Sequence, residues 1–466
     1  MSLFDTIIRN GTVVTAADAS RCDVGIRAGK IVALAERLDG AEEVIEAAGK
    51  LVLPGGVDGH CHLDQPMSDG SEMADDFTTG TRSAAAGGTT TVIPFACQIK
   101  GQSLRAAVSD YHKRAEGKAL IDYAFHLIVS DPTAHTVGQD LPALIKDGYT
   151  SFKVYMTYDE LKLSDRQVMD VLAVARREGA MVMVHAENTD VIEWLTERLL
   201  AAGKTAPRYH AESRPAPVER EATHRAISLA EIVDVPILIV HVSGGEAAEQ
   251  IRWAQARGLK IYGETCPQYL FLSAEVLEGE GFEGAKGVCS PPPRDTSNQA
   301  AIWNALSGGV FQVFSSDHAP FRYAGPKGKR NAGADAPFTK IPNGIPGIET
   351  RLPLLFSGGV GEKRISLQQF VALTATNPAR LYGLYPRKGT IAIGSDADVA
   401  VWDPDADVTI TNSRLHHNVD YTPFEGMRVK GWPTRTLCRG KTVWRDGAIV
   451  GQAGHGQFLR CDLPSR

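Results

Sequence analysis

The chain has 466 residues and a formal net charge of −6, and no Lys/Arg block stands out, so it offers no basic footprint for nucleic acid. Met1 to Asp5 show no basic stretch leading into an apolar one, and no run approaches the roughly eighteen apolar residues of a membrane span, which predicts a cytoplasmic protein. Seven scattered cysteines, none in a C-x-x-C pair, argue against a disulfide framework or a cysteine zinc site.

Residues 1–53 read as short β-type runs divided by glycine turns, with Asn10-Gly11 as a hairpin signal. The chain then alternates. β-type runs fall at 57–62, 89–94, 121–129, 151–156, 181–185, 236–242, 259–264 and 310–315. Between them apolar residues recur at helical spacing, as in 103–115, 164–177, 219–233 and 245–257. Eight such repeats predict a (β/α)8 barrel over 54–385, where a doubly wound sheet would more often stop at five or six strands. A last helical pattern, 366–381, returns the chain to β texture over 386–466. Neither end carries enough strands to close a core alone, so both together predict one small β-sandwich beside the barrel.

The segment Pro54-Gly-Gly-Val57-Asp58-Gly-His60-Cys-His62 ends the first barrel run with two imidazoles at i and i+2, on one face of a strand. Lys153, His185, His241 and Asp317 likewise close the fourth, fifth, sixth and eighth runs, whereas the second, third and seventh supply none. The C-terminal ends of barrel strands are where active sites form. Four histidines and an aspartate exceed what one catalytic ion with an open position needs, and suit two divalent ions. Lys153, isolated in an apolar run, is either a lysine that snorkels or pairs with an acid, or a desolvated amine able to take up CO2 and bridge the ions as a carbamate. The donor set suits zinc foremost, and manganese or cobalt alike.

Several ordered motifs carry a resemblance: Gly56-Val-Asp58-Gly-His60-Cys-His62, Ser151-Phe-Lys153-Val-Tyr155-Met-Thr-Tyr158, Val184-His185-Ala-Glu187, Val240-His241-Val, Glu264-Thr-Cys-Pro, Ser290-Pro-Pro-Pro-Arg294, Ser315-Ser-Asp317-His318 and Pro342-Asn343-Gly. Along essentially its whole length the chain resembles the dihydropyrimidinase or D-hydantoinase family of cyclic amidohydrolases. The resemblance implies that His60, His62 and Asp317 hold one metal, that His185 and His241 hold the other, and that an N6-carboxylated Lys153 bridges them. It implies that Tyr158 contacts the substrate carbonyl, that Ser290 and Asn343 offer main-chain contacts to the ring amides, and that Asp317 moves the proton. His318 and Glu187 are expected to orient the ligands. The reaction implied opens the ring of a dihydropyrimidine or 5-substituted hydantoin, giving an N-carbamoyl amino acid.

Substrate choice is expected to lie in two loops, 63–73 and 155–163, with Leu63 and Tyr155 as contacts. The first reads Leu63-Asp64-Gln65-Pro66-Met67 against Leu-Asp-Met-Pro-Phe in bacterial members, and Tyr155 stands where many relatives carry Phe. Dihydroorotases place an arginine where this chain has Asp64, which disfavours that activity. Allantoinase and cyclic imidase remain alternatives, as does a non-catalytic scaffold of the same fold. Family members are commonly homotetramers, and the tail, 418–466, carries the aromatic residues Tyr421, Phe424, Trp432, Trp444 and Phe458 beyond what a thin β module needs, so a tetramer or dimer whose contacts use barrel helices and this tail is expected.

Overall fold

The computed structural model describes residues 2–465. Leu51–Pro54 lies antiparallel to Val399–Thr409, with Pro54 opposite Val399 and Leu51 opposite Trp402, so both ends of the chain enter one sheet. This seven-stranded sheet also takes Thr12–Val14 and Ala19–Arg21 from the N-terminal side and Arg428–Cys438, Lys441–Arg445 and Ala448–Ile449 from the C-terminal side. A four-stranded sheet of Phe4–Arg9, Asp23–Arg27, Lys30–Ala35 and Ala41–Glu46 covers it. Ile8, Val24 and Ile31 from one sheet meet Val52, Val399 and Leu437 from the other in a common core, which makes the β-sandwich.

The Asn10-Gly11 turn does not fold the hairpin that its sequence signals. Its two flanking strands lie in different sheets, and Asn10 turns the chain between them with φ 63°. Gly11 is required by packing: a Cβ there would lie 2.4 Å from a Val52 methyl.

Eight parallel strands build the barrel: β1 (Gly56–Cys61), β2 (Thr89–Cys97), β3 (His126–Ile128), β4 (Ser151–Tyr155), β5 (Met181–His185), β6 (Ile237–Ile239), β7 (Ile261–Thr265) and β8 (Val313–Phe314). Nearly every residue in them is buried, as expected of parallel strands covered on both faces. Helix limits follow the caps. Ser103 caps Leu104–Ala115, and Ser164 with Gln167 forms a capping box on Asp165–Glu178, which ends at Gly179 in the left-handed region. The pattern at 366–381 is broken: a π-helical turn, Ala372–Thr376, separates Leu367–Val371 from Asn377–Leu381. Thr374 bonds back to the Phe370 carbonyl there, a contact that bends helices.

The third run, expected over 121–129, divides into Asp122–Tyr123 and β3, and the eighth shrinks to two residues. The ring therefore closes with little ladder between β8 and β1. A bridge between Cys61 and His318, the His62 amide donating to the His318 carbonyl (2.7 Å), and Asp58 accepting from the Ser316 amide (3.1 Å) make the joint.

The tail aromatics expected at a subunit contact are used within the chain. Tyr421, Phe424, Trp432 and Trp444 are buried, and Phe458 packs on His112, Phe125 and Tyr149. Among the described residues no helix is long and apolar enough to cross a membrane.

Candidate metal centre

The six side chains singled out at strand ends converge over the mouth of the barrel. His60 Nε2 lies 2.7 Å from Lys153 Nζ and 3.2 Å from Asp317 Oδ1, and His62 Nε2 lies 3.4 Å from the same oxygen. The His241 ring sits between those of His60 and His185, with centroids 5.3 and 4.5 Å away. Ligating atoms of His60, His62 and Asp317 all fall within 4.8 Å of one another. His241, Asp317 and Tyr158 take φ of 41°, 46° and 69°, conformations that cost a non-glycine residue about 1–3 kcal/mol and concentrate at functional sites.

Each histidine except His241 has one ring nitrogen engaged behind the cluster. His60 Nδ1 meets Glu264 (2.6 Å), whose carboxylate also accepts from the His241 amide (3.1 Å). His185 Nε2 meets Glu187 (2.8 Å), which Arg214 holds from the far side (2.7 Å). His62 Nδ1 meets Gln65 Oε1 (2.7 Å). The seventh strand, from which no residue was expected, thus supplies Glu264 as a support shared by His60 and His241. His318 supports backbone instead of a ligand ring: its Nε2 faces Asp75 (3.1 Å) and its Nδ1 accepts from the Gly347 amide (3.0 Å).

His241 is buried, yet neither ring nitrogen has a hydrogen-bond partner among the described residues. Buried polar atoms are rarely left so. An ion fits this arrangement, because burial drives His60 and His241 well below the ordinary imidazole pKa and keeps their lone pairs free. Burial also lowers Lys153 to about 8, against the pull of Asp317 and Glu264, which populates its neutral amine. Burial raises Glu264 to about 8, opposed by the His241 amide and Lys153. In Glu187 burial acts upward too, but Arg214 and His185 outweigh it and hold the carboxyl at about 2. A second acidic group, Asp122, Asp398 and Cys438, is of a different kind: the Lys388 ammonium already sits between its carboxylates, at 2.6 and 2.7 Å.

A cavity of about 960 Å3 opens onto the cluster, lined among others by Tyr155, Tyr158, Ser290 and Asn343. Tyr155 stacks on His185 with centroids 5.2 Å apart. Burial raises the Tyr158 hydroxyl to about 12, so it stays a donor. Ser290 Oγ lies 3.2 Å from His210 Nε2, and Asn343 Oδ1 is buried without a partner among the described residues. Leu63 does not line the cavity. It is buried and packs against Gly80, where a Cβ would come within 2.3 Å of it. The Lys329 ammonium, fully buried, joins the two cavity-lining loops that carry Ser290 and Asn343 by donating to the carbonyls of Val288 (2.8 Å) and Pro342 (2.6 Å). Asp64, with φ 49°, gives its carboxylate to Arg114 (2.9 Å).

Similarity to known proteins agrees with this geometry. Residues 51–443 match the Amidohydrolase family. The chain is 47% identical over 457 residues to a D-hydantoinase of Ralstonia pickettii, covering 98% of each. It is also 47% identical over 457 residues to one of Geobacillus stearothermophilus, covering 97% of this chain and 96% of the relative. The crystal structure of a dihydropyrimidinase from Brevibacillus agri NCHU1002 superposes with a TM-score of 0.96 at 47% identity, covering 99% of both chains. A barrel with histidine pairs at its mouth, continuous with a two-ended sandwich and matched along its length, belongs to the amidohydrolase family.

Proposed function

We propose that this chain is a metal-dependent hydrolase that opens the cyclic amide of dihydropyrimidines and 5-substituted hydantoins, releasing N-carbamoyl amino acids. The observation that carries it is the convergence of His60, His62, His185, His241 and Asp317 around a buried Lys153, with both His241 nitrogens unpartnered among the described residues, in a chain 47% identical to D-hydantoinases. In this reading His60, His62 and Asp317 hold one divalent ion and His185 and His241 the other. Lys153, once its neutral amine had added to CO2 and lost a proton, would offer both ions an anionic carbamate. The ions, zinc foremost with manganese or cobalt also suited, supply Lewis acidity that polarises the ring carbonyl and lowers the pKa of water.

The remaining work falls to the side chains. Ser290 and Asn343 hold the ring amides through their main chain. Tyr158, kept protonated, donates to the oxygen that gains charge, a contact typically worth about 2.7–4 kcal/mol. Asp317 takes a proton from the attacking water and returns it to the ring nitrogen as the C–N bond breaks. Tyr155, against His185 in the cavity, contacts the ring substituent.

The catalytic unit is assigned to residues 54–385, and the sandwich to 1–53 with 386–466. We assign the protein to the cytoplasm, where its seven unpaired cysteines suit a reducing compartment. With the tail aromatics buried, apolar residues exposed on barrel helices, Trp194, Ile232 and Trp253, are the better basis for a tetramer or dimer. A monomer by light scattering at micromolar concentration would refute the assembly.

The function is tested by reconstituting the protein with zinc or manganese and bicarbonate, counting ions, and assaying dihydrouracil, hydantoin, allantoin and succinimide side by side. About two ions per chain with fastest opening of dihydrouracil or hydantoin are expected. Preference for allantoin or succinimide would redirect the assignment, and less than one ion with no turnover would make the chain a scaffold.

A further inference from the structure

The supports behind the histidines are not alike. Glu264 behind His60 and Glu187 behind His185 are fully buried carboxylates at or just beyond strand ends. Behind His62 stands Gln65, a neutral amide on the 63–73 loop that also lines the cavity. His62 Nε2 faces Asp317, so Nδ1 is the nitrogen turned to Gln65, and an N–H there leaves Nε2 with its lone pair. The loop is fastened on either side of this contact. Before it, the Asp64 amide donates to the Asp75 carbonyl (2.9 Å) and Arg114 donates to the Asp64 carbonyl (3.0 Å). After it, Asn331 donates to the Asp69 carbonyl (3.3 Å). Residues 65–68 between these anchors make no other hydrogen bond among the described residues, so the imidazole of His62 is what ties this span to the barrel.

We propose that Gln65 is a positioning residue that couples the cavity-lining loop to the metal centre: one hydrogen bond both orients His62 toward an ion and pins the loop. This rests on the ligand set of the proposed function. Coupling of this kind is reciprocal. An ion on His62 Nε2 favours the Nδ1–H tautomer and thereby orders residues 65–68, while a displacement of that span frees the His62 ring and loosens the ion. A carboxylate at the same position would serve as acceptor, whereas a thioether, a weak acceptor at best, would not.

The test compares the metal-loaded wild-type protein with Gln65→Met and Gln65→Glu. Ion release to the chelator dipicolinate is followed by elemental analysis, and hydrogen exchange of a peptide covering 64–69 is measured with and without metal. Gln65→Met is expected to release one ion about 10- to 100-fold faster than wild type, the usual effect of losing such a support, and to lack the metal-induced protection of 64–69. Gln65→Glu should retain both properties. Equal thermal midpoints of the metal-stripped forms would separate this from a merely structural defect. Release of both ions from Gln65→Met at the wild-type rate would overturn the assignment while leaving the proposed function intact. Uptake of less than one ion by wild type would instead overturn the ligand set itself, before any variant is compared.

Discussion

Lys153 carries the sharpest consequence at the scale of single residues, because it lies over the Phe95 ring (4.3 Å) and beside His60 with almost no solvent access. In the proposed function this amine serves as a carboxylated bridge. Lys153→Ala is expected to lose metal and activity together, and a short carboxylic acid added to the variant should restore part of both. Lys153→Arg should recover neither, and full activity with normal metal content in Lys153→Ala would contradict the bridging role. The ligand candidates were readable because each closes a β-type run, where position in the chain maps directly to position in a barrel. Their supports were not. Glu264 sits in a recognisable motif, but its use by His60, 204 residues earlier, depends on how strands β1 and β7 face one another. Gln65 drew notice as a departure from the family pattern, yet its partner depended on a loop path that no periodicity encodes. Leu63 lies past the end of β1, so its inward packing against Gly80 likewise depends on a loop path that strand alternation does not encode.

At the scale of elements, the two loops bearing Ser290 and Asn343 depend on Lys329 as a shared tie. Burial lowers its ammonium to about 7. In the unfolded chain a lysine keeps its proton to about pH 10.4. Between those values the unfolded state binds more protons, so this group makes stability rise with pH, by at most about 1.4 kcal/mol per unit. Below about 7 both states are protonated and the slope vanishes. In Lys329→Met the dependence is removed. The wild-type-minus-variant difference in denaturation midpoint should therefore climb from pH 7 to 10 and stay flat below 7; a difference independent of pH would contradict the assignment. The same variant should raise KM more than it lowers kcat, since it disturbs the loops carrying Ser290 and Asn343, which are proposed to hold the ring. Neither loop was legible as an element, and the eighth strand was overdrawn for a related reason. Its apolar run predicts a strand through Ser315, but hydrogen bonding to Asp58 and the turn at Asp317 end the ladder early.

At the scale of the molecule, barrel and sandwich are joined by a buried charge cluster as well as by continuous chain. Lys388 meets Asp122 beside β2 and both Asp396 and Asp398 before the sandwich strand Val399–Thr409, while Arg439 also reaches Asp122. Removing one member of a buried ionic cluster strands the others. Lys388→Met is expected to cost about 3–5 kcal/mol, seen as a clear fall in denaturation midpoint with metal content per folded chain unchanged. An unaltered midpoint would show that the cluster contributes no net stability. The two-ended sandwich was legible because neither terminus could close a core alone, whereas the return of the tail onto the barrel was not, since aromatic surplus looks the same whether it is buried by a neighbour or by its own chain. The weak joint between β8 and β1 has a final consequence. His60 and His62 stand on one side of that joint and Asp317 on the other. An ion held by these three would therefore act as a rivet across the one place where the ring of strands has almost no stitching of its own, and the step that arms the enzyme would also be the step that finishes its wall.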